Sequence, residues 1–273
     1  MFGKFLEAVR RRAPRIHSIT NHVTINQCAN MLLASGSSPI MAEDSLEAAE
    51  ITGICDGLNL NMGTLSQRVI PSMLESGKRA NQLGLPVVLD PVGVSASGFR
   101  MKTAEQLLGE IHFSVIRGNL SEIKALAKIS QTPAGVDADR ADWITEENLE
   151  EITDFVKAFS LEQRTVAAVT GAIDIVTDGH RTFWLRNGHP MMSRVTGTGC
   201  QLSALAAAFA AASPGQILAS AASAVAAMGL CGQIAHRNLA PSEGNASYGT
   251  RIIDAMYHLT PEILEKGANY EIR

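Results

Sequence analysis

Cysteine is scarce in this chain and is not arranged to bind a metal. Only four cysteines occur among 273 residues, and they are scattered, with no Cys-x-x-Cys pair: Cys28, Cys55, Cys200 and Cys231. No spacing of cysteine and histidine suits a zinc site either. The cysteines are therefore predicted to be reduced thiols, and a cytoplasmic location is expected.

A surplus of basic residues is also lacking. The chain has 23 Lys and Arg against 27 Asp and Glu, for a formal net charge of −4, and 46% of its residues are hydrophobic. This balance argues against a nucleic-acid partner and allows a large buried core. A small ligand is the expected partner.

The sequence shows no secretion signal and no linker. Its first twelve residues alternate apolar and charged side chains at helical spacing, unlike the apolar segment of a signal peptide. The most apolar region, residues 202–235, is rich in alanine and is interrupted by Ser213-Pro214-Gly215. It predicts two buried, closely packed helices and no membrane partner. Residues 1–273 are predicted to form a single domain.

Short apolar runs alternate with helical segments, and several runs end on a polar residue. Residues 85–90, 113–117 and 166–170 end on Asp90, Arg117 and Thr170. Such runs are typical of strands buried on both faces of a parallel sheet, and ligands bind beyond the carboxyl ends of these strands. An α/β fold is therefore predicted, with a mainly parallel sheet between helices and a ligand site at one edge.

Local signals predict further elements. A helix over about 23–34 is expected to be capped by Thr20 or Asn21 and to end at Gly36. Another helix is expected over about 64–83, and residues 174–185 are expected to form a hairpin that turns at Asp178-Gly179.

A glycine-rich turn precedes an apolar helix late in the chain. Residues 196–200 (TGTGC) are followed by an unbroken run of helix formers to Ala212. The first N–H groups and the positive end of such a helix favour an anion such as phosphate. Position 202 is Leu, and no Lys-Ser/Thr follows, so neither the dinucleotide fingerprint nor the P-loop is present. A tight turn before a buried helix is the alternative.

Two carboxylates offer oxygen ligands for a divalent cation. Asp90 ends a predicted strand, and Glu122 lies one helical turn after Asn119. Mg²⁺ is commonly held by one or two carboxylates together with substrate phosphates. Arg117 can bind phosphate oxygens with its fork of donors, so the pattern predicts a Mg²⁺-nucleotide site. A favourable charge in the first helical turn is the alternative for Glu122.

Five motifs, in this order, resemble the hydroxyethylthiazole kinase family of the ribokinase-like superfamily. They are residues 20–26 (TNHVTIN), 38–42 (SPIMA), 89–93 (LDPVG), 116–119 (IRGN) and 196–200 (TGTGC). Cys200 stands where most of the superfamily has Asp. The polar segment 130–140 departs from the family pattern.

The resemblance implies a three-layer ribokinase-like sandwich, with a mainly parallel central sheet covered by helices on both faces. It implies phosphoryl transfer from ATP to the primary hydroxyl of 4-methyl-5-(2-hydroxyethyl)thiazole, in thiamine biosynthesis or salvage. It also implies Mg²⁺ as cofactor and a homotrimer with sites between subunits. The roles carried over are ATP binding by Arg117, Thr170 and Gly199, Mg²⁺ binding by Asp90 and Glu122, thiazole binding by Met41, Gly197 and Asn21, and proton acceptance by Cys200. Packing is the alternative for Met41 and Cys200.

Two rival functions are compatible with the same fold. A dehydratase that repairs hydrated NAD(P)H would use Mg²⁺ and a glycine-rich anion loop, but it is expected to carry Asp in place of Cys200. A non-catalytic nucleotide sensor would need the phosphate-binding loop without the carboxylates of Asp90 and Glu122.

Overall fold

The computed structural model describes residues 1–130 and 143–273. The predicted departure at 130–140 therefore lies outside the described residues, apart from position 130 at a helix end. The α-helices are α1 Gly3–Arg12, α2 Ile25–Ser35, α3 Ala48–Gly53, α4 Val69–Gln82, α5 Gly98–Glu110, α6 Leu120–Ser130, α7 Leu149–Gln163, α8 Thr198–Ala212, α9 Ile217–Arg237, α10 Asn245–His258 and α11 Pro261–Gly267. The strands are β1 Arg15–Ile19, β2 Ser38–Ile40, β3 Gly57–Asn61, β4 Val87–Asp90, β5 Val115–Asn119, β6 Val166–Thr170, β7 Asp174–Thr177, β8 Thr182–Leu185 and β9 Tyr270–Ile272.

The strands form one sheet in the order β2-β1-β3-β4-β5-β6-β7-β8-β9. Pairing is parallel from β2 to β6 and antiparallel from β6 to β9. The predicted parallel core is confirmed, and so is the predicted hairpin, which β7 and β8 form. Asn61 pairs with Asp90, and Asn119 pairs with Thr170, so the parallel strands end nearly level with one another.

Helices cover both faces of the sheet because successive residues in each strand point to opposite sides. Val88 and Val115 lie in a core cluster with residues of α1, α2, α8, α9 and α10. Leu89 and Ile116 lie in a second cluster with residues of α4, α5, α6 and α7. The predicted three-layer arrangement is therefore confirmed.

Small side chains let α8 lie close to the sheet. A Cβ atom at Gly57 of β3 would meet the Cβ of Ala211 and the carbonyl of Ala207 on α8. The next helix, α9, is long and apolar enough to cross a membrane by length and composition, yet most of it is buried within the fold. The region 202–235 therefore forms the two buried helices that its sequence predicts.

Two predicted helix starts are wrong. Helix α2 begins at Ile25 with Thr24 at the N-cap, so neither Thr20 nor Asn21 is the capping residue. The Asn21 Oδ1 instead accepts from the Thr24 N–H and hydroxyl, which stabilises the turn before the helix. Helix α4 begins at Val69, because the chain first makes a turn in which Thr64 adopts a φ of 45°. The predicted end of α2 at Gly36 is confirmed by a left-handed C-cap there.

Strand β2 forms one edge of the sheet. It has only three residues, and its central residue, Pro39, is paired with Ile16 of β1. The Ser38 N–H donates to the Pro14 carbonyl on the β1 side.

Candidate active site

The predicted site residues lie along one edge of the sheet, although they are far apart in sequence. In the order of the strands, Met41 follows β2, Asn21 follows β1, Asp90 ends β4, Arg117 lies in β5 and Thr170 ends β6. Neighbouring strands lie about 4.8 Å apart, so these positions form a row along the carboxyl edge. The residues predicted to bind thiazole lie towards one end of the row, and those predicted to bind ATP lie at the other.

Asp90 is fully buried and lies near the middle of this row. Its Oδ2 accepts hydrogen bonds from Asn61 Nδ2 at 2.8 Å and from Ser203 Oγ at 2.7 Å. Its Oδ1 is buried and has no hydrogen-bond partner among the described residues. Burial raises the pKa of Asp90 to about 6, although the neighbouring Arg117 guanidinium opposes the shift. A buried carboxylate oxygen without a partner suits a Mg²⁺ ligand.

The three residues predicted to bind ATP are brought together. Arg117 Nη2 donates a 2.7 Å hydrogen bond to the Thr170 hydroxyl, and Nη1 lies 3.6 Å from Asp90 Oδ2. The guanidinium lies against the backbone of Gly199, where an added Cβ would overlap it. Arg117 Nε is buried without a partner among the described residues. A donor of this chemistry suits a phosphate oxygen.

Helix α8 directs its first N–H groups towards the same edge. Gly197 is the N-cap residue with a φ of 86°, a conformation that side chains disfavour. A Cβ at this position would also meet the Thr24 side chain. The first hydrogen bond of the helix runs from the Gln201 N–H to the Gly197 carbonyl. The N–H groups of residues 198–200 therefore have no acceptor within the helix, which makes this end suited to an anion.

Cys200 lies in the first turn of α8 and is 8% exposed. Asn21 Nδ2 donates to Cys200 Sγ at 3.2 Å and to Asn61 Oδ1 at 3.0 Å. The sulfur is therefore held beside the free N–H groups of α8 and is linked through two amides to Asp90.

Glu122 is part of a capping box at the start of α6. Its Oε2 accepts from the Asn119 N–H, and Asn119 Oδ1 accepts from the Glu122 N–H, each at 2.9 Å. Its Oε1 accepts from the Gly93 N–H at 3.0 Å, in the loop after β4. Both oxygens of the predicted cation ligand Glu122 are therefore used in local hydrogen bonds. The carboxylate retains lone pairs with which to bind a water molecule.

Met41 is half-buried and packs against the core cluster on the α8 side. It lies three strand positions from Asp90 along the row. Among the residues that the structure describes, no group of three or more His, Cys, Asp and Glu side chains could hold a metal alone. A cation here would depend on one or two carboxylates together with phosphate oxygens.

Sequence reasoning missed Asn61, Ser203 and His17. Asn61 ends a strand as Asp90 does, and Ser203 lies three residues after Cys200, but neither position by itself indicates a hydrogen bond to Asp90. His17 is fully buried, with Nε2 2.7 Å from the Ala42 carbonyl and Nδ1 2.8 Å from Thr52 Oγ1. It supports the segment that carries Met41, and an isolated histidine in a strand gave no indication of this.

Comparison with known proteins identifies the family of the chain. Residues 6–262 match the model of the hydroxyethylthiazole kinase family. A protein of Clostridium acetobutylicum named hydroxyethylthiazole kinase is 49% identical over 271 residues, which cover 99% of each chain. A protein of the same name from Clostridium beijerinckii is 47% identical, covering 97% of this chain and 94% of its own.

Solved structures with similar folds include a member of the same family. The hydroxyethylthiazole kinase structure from Pyrococcus horikoshii OT3 superposes with a TM-score of 0.88 at 34% identity, covering 100% of this chain and 98% of that one. A pyridoxal kinase from Staphylococcus aureus, in complex with AMP-PCP and pyridoxal, superposes with a TM-score of 0.61 at 13% identity. It covers 95% of this chain and 98% of that one, and it shows a shared fold alone. The chain belongs to the hydroxyethylthiazole kinase family.

Proposed function

We propose that the protein transfers the γ-phosphate of ATP to the primary hydroxyl of 4-methyl-5-(2-hydroxyethyl)thiazole, in thiamine biosynthesis or salvage. The observation that carries this proposal is the row at the sheet edge. It runs from Asn21 and Cys200, through Asp90, to Arg117 and Thr170, with the start of α8 above its centre. A row of this kind can hold an alcohol and a triphosphate end to end.

ATP is proposed to bind at the β5 and β6 end. Arg117 would contact the phosphates through its unpartnered Nε and its terminal nitrogens, and Thr170 would leave its hydrogen bond to Arg117 or share it with the nucleotide. Gly199 lets the guanidinium approach the helix backbone closely. A larger residue there would separate Arg117 from the free N–H groups.

Mg²⁺ is proposed to be held by Asp90 through Oδ1 and by Glu122 through a water molecule. When bound, it would neutralise charge on the phosphates. The protein's own part is to keep Asp90 buried and oriented. Asn61 and Ser203 do this by occupying Oδ2, so that Oδ1 is the oxygen left for a ligand.

Phosphoryl transfer needs mainly positioning and charge stabilisation, because its transition state is loose. The N–H groups of residues 198–200 would stabilise the transferring phosphoryl group. The hydroxyl oxygen of the thiazole forms the new bond to the γ-phosphorus as the bond to the β,γ-bridging oxygen breaks and ADP leaves. Cys200 would act as the base in its thiolate form, so that the hydroxyl proton passes to its sulfur and gives the neutral thiol.

A homotrimer with sites between subunits is also proposed, as is a cytoplasmic location and a single domain. Two exposed apolar residues support the homotrimer. Leu46, which follows β2, is 94% exposed, and Val23, which follows β1, is 58% exposed. Burial of these apolar side chains between subunits would favour association through the hydrophobic effect. Gly197 and Asn21 would then contact the thiazole from one subunit, and Met41 from its neighbour.

A coupled ADP-release assay tests the activity. Hydroxyethylthiazole, hydroxymethylpyrimidine and pyridoxal are offered separately with ATP and Mg²⁺, and the thiazole is expected to have the highest kcat/KM. Faster ADP release with either other alcohol would overturn the thiazole assignment. Absence of ADP release, with loss of water from hydrated NADH instead, would favour the rival dehydratase.

A further inference from the structure

Asn61 ends strand β3 and is fully buried between the two halves of the site. Its Nδ2 donates to Asp90 Oδ2 at 2.8 Å. Its Oδ1 accepts from Asn21 Nδ2 at 3.0 Å and from the Gly63 N–H at 2.9 Å. One amide therefore contacts both the buried carboxylate and the residue that holds Cys200.

The partners fix which end of this amide faces which group. The backbone N–H of Gly63 can only donate, so it must face the Asn61 oxygen, and the ionised Asp90 can only accept, so it must face the nitrogen. Two partners thus set the orientation of Asn61 without help from Asn21. Gly63 lies close enough that a Cβ there would overlap Asn61 Oδ1 and Asn21.

The orientation of Asn61 in turn fixes that of Asn21. Because Asn61 presents an oxygen, Asn21 must present its nitrogen, and the same NH₂ group donates to Cys200 Sγ. The Asn21 oxygen then faces the Thr24 N–H and hydroxyl, which completes its hydrogen bonds. The order of donors and acceptors from Thr24 to Asp90 is therefore consistent throughout.

We propose that Asn61 is a positioning residue for the transfer, which orients Asp90 towards the cation and Asn21 towards Cys200. The proposal rests on the proposed function and assigns a role to a residue that contacts neither substrate. Polar groups that orient a metal ligand in this way typically change metal affinity or activity by about 10- to 100-fold when removed.

Asn59 provides a matched control on the same strand. It lies two residues before Asn61, faces the same side of the sheet and is also fully buried. Its Nδ2 donates to Ser18 Oγ at 2.9 Å, away from Asp90 and Cys200. Loss of a buried asparagine from β3 is therefore common to both variants, but only Asn61→Ala removes the hydrogen bonds to Asp90, Asn21 and the Gly63 N–H.

The test compares Asn61→Ala with Asn59→Ala in two measurements. Calorimetry measures the affinity for ADP with and without Mg²⁺, and steady-state kinetics measures kcat and KM. For Asn61→Ala we expect the gain in ADP affinity from Mg²⁺ to fall by roughly 10-fold, with affinity for ADP alone within twofold of wild type. We expect kcat to fall by roughly 10- to 100-fold, with both KM values within threefold. Asn59→Ala is expected to stay within twofold throughout.

A third variant, Asn21→Ala, separates the two roles. It leaves Asn61 held by Gly63 and Asp90, so kcat should fall while the Mg²⁺-dependent gain in ADP affinity stays at the wild-type value.

Equal behaviour of Asn61→Ala and Asn59→Ala in both measurements would overturn the proposal. If Asn61→Ala does not fold by circular dichroism, Asn61→Ser replaces it, and failure of both to fold assigns Asn61 a structural role instead. The ADP measurement needs no thiazole, so it still tests Asn61 if the proposed substrate is wrong.

Discussion

Asn21 and Cys200 are 179 residues apart in the sequence, yet the Asn21 side chain donates a 3.2 Å hydrogen bond to the Cys200 sulfur. Asn21 follows β1, and Cys200 lies in the first turn of α8. Their contact places the thiol where the row of strand ends meets the free N–H groups of the helix. The contribution of this thiol to kcat is therefore the first quantity to measure.

Replacing Cys200 tests whether its sulfur accepts the hydroxyl proton. We expect Cys200→Ala to lower kcat by roughly 10²-fold, which is a usual contribution of a positioned general base. Steady-state kinetics with the thiazole checks this, with circular dichroism to verify folding. A kcat equal to that of wild type would mean that Cys200 only packs against the start of α8.

Cys200→Asp is the complementary variant, because a carboxylate is ionised at neutral pH and is favoured near a helix N-terminus. We expect it to keep much of the wild-type kcat, with a raised KM for ATP because its negative charge lies near the phosphates. A folded but inert Asp variant would contradict the assignment of Cys200 as base.

Glu122→Gln tests the carboxylate in the capping box. The amide keeps only one acceptor for the two backbone N–H groups of Asn119 and Gly93. We therefore expect the free energy of unfolding to fall by about 1 kcal/mol and the Tm to fall by roughly 2–4 °C. We also expect a weaker Mg²⁺ dependence of activity. Glu105→Gln, on the exposed side of α5, is the control. A lower Tm with an unchanged Mg²⁺ titration would leave Glu122 with a structural role only.

Mixing inactive chains tests whether sites are shared between subunits. Met41→Asp and Cys200→Ala chains are each expected to have little activity, and reassembling them together should create some sites in which both positions are wild type. We expect activity to reappear in the mixture and to depend on the ratio of the two chains. Activity no higher than that of either parent would show that Met41 and Cys200 act within one subunit.

His17 should make the stability of the protein depend on pH. Burial lowers the pKa of His17 below its ordinary value of 6.5, so the folded state binds fewer protons than the unfolded state in this range. The stability from neutral His17 is therefore fully present above the unfolded-state pKa of about 6.5, and it is lost as the pH falls from there through the lower pKa of the folded state. We expect the Tm difference between wild type and His17→Gln to be larger at pH 7.5 than at pH 5.5. An exposed-turn variant, His180→Gln, is the control, and a difference independent of pH would contradict the prediction.

The sequence was sufficient to predict the layers and the row of strand ends, because fully buried parallel strands have a distinctive apolar pattern and finish on polar residues. Asp90, Arg117 and Thr170 could be identified in this way. Asn61 could not, because its role depends on two neighbouring strands that place Asn21 and Asp90 on either side of it. The start of α4 could not be located either, since Thr64 adopts a positive φ that no local signal required.

The short strand β2 limits how subunits can associate at this side of the molecule. In parallel pairing, alternate residues direct their backbone groups to opposite sides, and Ser38 directs its N–H towards β1. The residue whose N–H would face outward is Pro39, which has none. A neighbouring chain therefore finds no donor there with which to continue the sheet. A partner that approaches Met41 is therefore expected to rely mainly on side-chain contacts, so point substitutions on this surface should be able to separate assembly from folding.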